Sequence, residues 1–245
     1  MMVANNEIKK PLYLFVTGTD TDAGKTTCAS ALLHALHGQG RRVWPFKPVA
    51  AGAEAVDGQL RNSDALKLMN ACAIEVNHEN YAKVNPYCYA PPIAPHIAAA
   101  QVKSTPTVRS IIAKLETALF ERQNAKSHDL VLIEGAGGWL VPLNDEESLA
   151  DVAKALQADV LLVIGMKLGC LNHALLTVEA IQRRGLKLAG WIANQPLPAQ
   201  MSHYQENLET LKRMIDAPCL GEVPFQSNVD ETALAAHINV RALQL

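Results

Sequence analysis

Two glycines with five residues between them, followed at once by Lys-Thr, mark the first stretch able to do chemistry: Gly18-Thr19-Asp20-Thr21-Asp22-Ala23-Gly24-Lys25-Thr26-Thr27. A loop of this kind holds phosphate. Its glycines let backbone N–H groups turn inward, and the helix that follows adds the positive end of its dipole. Lys25 can reach β- and γ-phosphates, and the Thr26 hydroxyl can ligate Mg²⁺. The spacing is one residue longer than in the usual P-loop, which leaves that physics intact. Gly-Lys-Thr alone could simply cap a helix. The apolar run before it and the helical period after it favour a nucleotide site. No NKxD guanine-reading sequence is present, so ATP is expected rather than GTP.

Other candidates fall where apolar runs end. Lys47 follows residues 43–46 and offers a second compact positive charge for an anion, or is a solvated loop lysine. Asp64, in Arg61-Asn62-Ser63-Asp64, sits at the start of a helical stretch and reads as an N-cap or first-turn carboxylate. Glu134 leaves the apolar run 130–133 into Gly135-Ala136-Gly137-Gly138-Trp139. A buried strand end is a poor place for an idle carboxylate, so Glu134 is expected to ligate Mg²⁺ or position water. Gly169-Cys170-Leu171-Asn172 opens a helix whose N-terminus could hold a carboxylate or phosphate, or forms a plain turn. His96 and His173 lack metal-ligand spacing and read as structural or surface groups. Asp145-Glu146-Glu147 reads as the solvated start of a helix.

Positioning these groups requires strands alternating with helices. Residues 12–16, 43–46, 130–133, 160–164 and 188–193 are apolar along their length, as in strands buried on both faces of a parallel sheet. Helical stripes lie between them: Cys28, Ala31, Leu32, Ala35 and Leu36; Val108, Ile111, Ile112, Leu115 and Leu119; Leu171, Leu175, Val178 and Ile181; and Leu208, Leu211, Met214 and Ile215. The expected fold class is α/β, a mostly parallel sheet with helices on both faces, P-loop NTPase-like, in one domain over residues 1–245. Residues 86–106, punctuated by five prolines, are the least regular part and read as a binding loop or interface. Ligands in such a sheet sit at the carboxyl ends of the strands.

The composition of these 245 residues agrees. Lys+Arg 22 against Asp+Glu 24 gives a net charge of −2, against a nucleic-acid binder that relies on bulk positive charge. A hydrophobic content of 49% supports a sizeable core. Cys28, Cys72, Cys88, Cys170 and Cys219 are odd in number and form no CxxC pair, so a disulfide framework or zinc knuckle is not indicated. No run approaches the roughly 18 apolar residues of a membrane helix, and the start MMVANNEIKK lacks a signal peptide's apolar stretch. A cytoplasmic protein without membrane partners is expected.

In order along the chain, TGTDTDAGKT, FKPVAAG, LRNSDAL, VNPY, PHIAAAQ, LIEGAGGW, KLGCLNHALLT, AGWIAN and LGEVP resemble the dethiobiotin synthetase family from residue 17 to 224. The resemblance implies a single-domain homodimer that uses ATP and Mg²⁺ to close a ureido ring on 7,8-diaminononanoate with CO₂. It implies that Lys25 and Lys47 neutralise phosphate and carbamate charges, and that Thr26, Asp64 and Glu134 hold Mg²⁺. Thr21 with Gly135, Ala136, Gly137 and Gly138 would line the reaction centre, and Asp22, Ala23, Gly24 and Thr27 would complete the phosphate loop. Gly169, Cys170, Leu171 and Asn172 of the partner subunit would cradle the substrate carboxylate. Asn194, Gln195, Pro224, Phe225 and Gln226 would contact adenine, with Glu231 near the ribose.

Two positions depart from the family pattern. Ala51 stands where a Ser or Thr is common after KPVA, and a tyrosine that helps hold the substrate carboxylate falls near Asn207, with Tyr204 one turn earlier. Other readings compete. A cobyrinic acid synthase-type ligase would carry a glutaminase domain that 245 residues cannot hold. A partition or septum-placement switch ATPase would carry lysine where Thr19 stands. A paralogue acting on another substrate would share the phosphate machinery.

Overall fold

A computed structural model describes residues 11–122 and 128–243. Its strands are β1 (Leu12–Gly18), β2 (Val43–Phe46), β3 (Val49–Ala50), β4 (Glu54–Val56), β5 (Gln59–Arg61), β6 (Tyr87–Cys88), β7 (Leu130–Gly138), β8 (Asp159–Gly165), β9 (Leu188–Asn194) and β10 (Cys219–Val223). Its helices are α1 (Lys25–Gly38), α2 (Ser63–Ala71), α3 (His78–Val84), α4 (Pro95–Gln101), α5 (Val108–Arg122), α6 (Leu149–Ala155), α7 (Cys170–Arg183), α8 (Tyr204–Met214) and α9 (Glu231–Leu234). Six parallel strands form the central sheet in the order β10-β9-β8-β1-β7-β2. The chain runs outward from β1 to β2, returns to β7, then crosses β1 to β8. That reversal places a crevice at the carboxyl end of β1.

Because successive side chains of a strand face opposite ways, each central strand feeds two cores. Leu14 and Val16 pack with Cys28, Leu32 and Leu36 of α1. Phe15, between them, points to the other layer with Ile111 and Leu115 of α5, and meets Trp139 edge-on at 5.8 Å. The expected parallel α/β sheet with helices on both faces is therefore present, with P-loop order around β1. No helix among the described residues is long and apolar enough to cross a membrane. All five cysteines are free.

Four details differ from expectation. The glycine-rich stretch after Glu134 is strand rather than turn: β7 continues to Gly138, which pairs with Gly18. Glycine permits this, because a Cβ on Gly135 would sit 3.2 Å from the Phe15 ring. The proline-rich stretch holds β6 and α4, and Pro95 starts that helix, a position where its missing N–H costs nothing. Strand β10 was not expected; it is short and lies at the sheet edge behind Pro218. Glu147 is not a solvated helix start. Its carboxylate accepts the Val108 N–H at 3.0 Å, fixing the start of α5, while α6 is capped by Ser148 with Asp151.

Candidate active site

The phosphate loop leaves β1 and enters α1 at Lys25, with Gly24 as N-cap in the left-handed region at φ 85°. A side chain there is excluded twice over, since a Cβ would also lie 2.1 Å from Asn194 Nδ2. Asn194, at the end of β9, donates that Nδ2 to the Ala23 carbonyl at 2.9 Å. On the β8 side, the Thr19 N–H donates to the Val163 carbonyl at 3.0 Å and Lys167 pairs with Asp20 at 2.6 Å. The loop is thus braced from two strands. Lys25 folds back over it, donating to the Asp20 and Thr21 carbonyls at 3.1 and 3.2 Å. Burial, and then the nearby Lys47 charge, pull the Lys25 pKa down to about 8.

Lys47 and Glu134 stand one residue past the paired ends of β2 and β7, where Phe46 is in register with Ile133. Both are buried, at 2% and 0% exposure. Lys47 Nζ lies 2.6 Å from Glu134 Oε1, 3.3 Å from Asp64 Oδ2 and 3.0 Å from the Gly135 carbonyl. The Thr26 hydroxyl donates to the same Glu134 oxygen at 2.7 Å. Burial works against the Lys47 ammonium, but Glu134 and Asp64 outweigh it and hold its pKa above the usual lysine value. For Asp64, burial opposes ionisation, while Lys47, the Thr26 hydroxyl and Lys25 prevail and hold the carboxyl below its usual range. Asp64 lies in the first turn of α2; the N-cap is Asn62.

The second Glu134 oxygen, Oε2, is buried with no hydrogen-bond partner among the described residues. An orphaned carboxylate oxygen is a demand for a cation or a donor. With the Thr26 hydroxyl and the half-exposed Asp64 carboxylate it makes a hard-oxygen set suited to Mg²⁺. No cluster of three or more His, Cys, Asp or Glu able to hold a metal occurs among the described residues. Mg²⁺ does not need one, because it is commonly held by one or two carboxylates with water and substrate phosphates.

These groups open on a cleft of about 860 Å³, within the usual range for small-molecule sites. Of the residues singled out in the sequence, Thr21, Asp22, Gly24, Lys25, Thr26, Thr27, Lys47, Asp64, Ala136 and Gly137 border it. So do Asn194 and Gln195 around the end of β9, with Asn194 against the phosphate loop, and Pro224, Phe225 and Gln226 just after β10. Ala23, Glu134, Gly135 and Gly138 stand behind that lining, and Glu231 reaches it through Lys67, 3.7 Å away. Gly169, Cys170, Leu171 and Asn172, around the start of α7, do not border this cleft, and neither do Tyr204 or Asn207 of α8. Ala51 does, and its carbonyl accepts from Asn62 Nδ2 at 3.2 Å.

Sequence reasoning passed over Asn62, Lys67 and Lys167. Asn62 carried a readable signal, since Asn two residues before a first-turn carboxylate is a common cap. Lys67 and Lys167 owe their place to tertiary contacts with Glu231 and Asp20, which no local pattern announces.

A family model described as an AAA domain matches residues 13–233. The chain is 48% identical over 229 residues to the ATP-dependent dethiobiotin synthetase BioD of Pseudomonas aeruginosa, covering 94% of this chain and 96% of that one. It is 49% identical over 217 residues to the enzyme of the same name from Chromohalobacter salexigens, covering 86% and 88%. Among solved structures, the septum site-determining protein MinD of Pyrococcus horikoshii, complexed with Mg-ADP, matches at a TM-score of 0.53 and 16% identity, over 95% of this chain and 89% of that one. That likeness concerns the fold alone.

Proposed function

The chain belongs to the ATP-dependent dethiobiotin synthetase family, and from that premise we propose that it carboxylates 7,8-diaminononanoate and closes the ureido ring of dethiobiotin at the cleft beside Lys25 and Lys47. The observation that carries the reading is the buried Lys47, held between Glu134 and Asp64 next to the phosphate-loop lysine. A carbamate and a triphosphate are both anions. Bringing one onto the other needs fixed positive charge at the point where they meet.

One amine of the diamine adds to CO₂, losing a proton to give a carbamate. A carbamate oxygen attacks the γ-phosphorus, and the bond to the bridging oxygen breaks to release ADP. The second amine attacks the carbamoyl carbon, gives up a proton and expels phosphate as the ring closes. In this reading Lys47 neutralises carbamate and γ-phosphate, and Lys25 swings from the Asp20 and Thr21 carbonyls to the phosphates. Thr21, with Gly137 and Gly138, shapes the reaction centre. Thr26, Asp64 and Glu134 would hold Mg²⁺, which neutralises phosphate charge when bound.

Asn194, Gln195, Pro224, Phe225 and Gln226 form the adenine end in this reading, with Glu231 toward the ribose. The chain acts as a homodimer, in which Gly169, Cys170, Leu171 and Asn172 of each copy serve the cleft of the other. Their place outside their own cleft supports that assignment. Supplying ¹³C-bicarbonate with MgATP and the diamine tests the chemistry. The label should reside in the ureido carbon of the product; its absence from any ureido product sinks the reading.

A further inference from the structure

Lys47 and Asp64 come from different elements, and both are tied to a third, α3, whose residues do not border the cleft. The Lys47 N–H donates to the Val84 carbonyl at 2.8 Å, and the Lys47 carbonyl accepts from Asn85 Nδ2 at 2.7 Å. That amide is oriented by its partners, because Nδ2 also faces the Tyr87 carbonyl at 3.3 Å. Its Oδ1 is left to accept from the Tyr81 hydroxyl at 2.9 Å. The same hydroxyl accepts the Asn62 N–H at 2.7 Å. Asn62 in turn caps α2, accepting the Asp64 N–H on Oδ1 at 3.1 Å. All three side chains are buried, and the Arg61 guanidinium lies 4.2 Å above the Tyr81 ring. An unbroken chain of hydrogen bonds therefore runs from the Lys47 carbonyl to the Asp64 amide. The contact of Lys47 Nζ with Asp64 Oδ2 at 3.3 Å closes it into a ring.

We propose that Tyr81 is a positioning residue for the nucleotide–metal site: acting through Asn85 and Asn62, it sets where Lys47 and Asp64 stand relative to each other. The proposal rests on Asp64, Thr26 and Glu134 being the Mg²⁺ ligands of the reading above. Tyr81 sits at the centre because its single hydroxyl serves both arms, donating to one and accepting from the other. Removing it leaves the Asn62 N–H and Asn85 Oδ1 unsatisfied in the interior, a cost relieved by moving the elements that carry them. Loss of such outer partners of metal ligands lowers metal affinity or activity by about 10–100-fold.

The test uses the full chain and a β,γ-imido ATP analogue, titrated calorimetrically with Mg²⁺ and again with EDTA. In wild type, Mg²⁺ should tighten binding. In Tyr81→Phe, affinity in EDTA should stay within about twofold, while the tightening by Mg²⁺ shrinks about 10-fold or more. Should that variant fail to fold, Asn85→Ala breaks the same chain on the Lys47 side and should lose the Mg²⁺ effect in the same direction. If a folded variant melts earlier yet keeps the full Mg²⁺ effect, the hydroxyl is only structural and the proposal falls. A wild-type chain whose binding ignores Mg²⁺ would overturn the metal reading itself, and the proposal with it.

Discussion

Lys47 Nζ and Glu134 Oε1 lie 2.6 Å apart, each one residue past the last paired residues of the neighbouring parallel strands β2 and β7, both sealed from solvent. The Glu134 carboxylate also accepts from Thr26, so one residue joins the phosphate loop, β2 and β7. A charge pair in this setting is a weak source of stability but a strict constraint on geometry, since losing Lys47 would leave the buried Glu134 carboxylate without a counter-charge.

Lys47→Ala should therefore act twice. Product formation should fall by at least about 10²–10³-fold, as when a preorganised electrostatic group is removed, while ATP analogue binding is largely retained. Stability should drop by about 3–5 kcal/mol, because Glu134 keeps only the Thr26 hydroxyl. Calorimetric binding and thermal melts separate the two effects; an equal loss of ATP affinity would show that Lys47 serves the nucleotide instead.

Gly24→Ala should abolish nucleotide binding without unfolding the sheet. It puts a Cβ in the left-handed region and against Asn194 Nδ2. Asn194→Ala should be milder, weakening binding about 2–10-fold by releasing the Ala23 carbonyl. Fluorescent nucleotide titration of the two variants checks the order, and Asn194→Ala proving the worse would contradict the bracing described.

The strand cores were legible in the sequence because parallel strands buried on both faces must be apolar throughout; Lys25 and Thr26 stood out by the phosphate-loop motif, and Glu134 as a carboxylate following the apolar run 130–133. Lys47 and Asp64 were ambiguous residue by residue; only the fold brings them within 3.3 Å. Strand β7 was cut short at Glu134 because a run of glycines reads as a turn unless the Phe15 ring packed against Gly135 is known. The Tyr81–Asn85–Asn62 chain was invisible, since its members are separated in sequence and each is an ordinary polar residue.

Lys25 predicts a pH effect. Its pKa in the free chain, about 8 against an ordinary 10.5, means that above pH 8 nucleotide binding must return a proton to it. Calorimetry at about pH 9 in buffers of different ionisation heat should find proton uptake that Lys25→Met removes. The folded chain binds fewer protons here than the unfolded one between those two values. Stability from this group accordingly rises with pH across that window and is flat below it. Binding at pH 9 with no proton uptake would contradict the shift.

Ala51→Ser restores a hydroxyl on the cleft wall without disturbing the Ala51 carbonyl held by Asn62. It should lower the KM for the diamine about 2–10-fold and leave the KM for ATP unchanged. Steady-state kinetics with each substrate varied in turn decides it. An unchanged diamine KM would mean the substrate lies away from this wall.

Phosphate release from MgATP and bicarbonate, measured with and without 7,8-diaminononanoate while dethiobiotin is quantified by mass, tests the proposed reaction at this cleft. Release should depend on the diamine, with one dethiobiotin formed per phosphate. Phosphate release indifferent to the diamine, with no dethiobiotin, would contradict it.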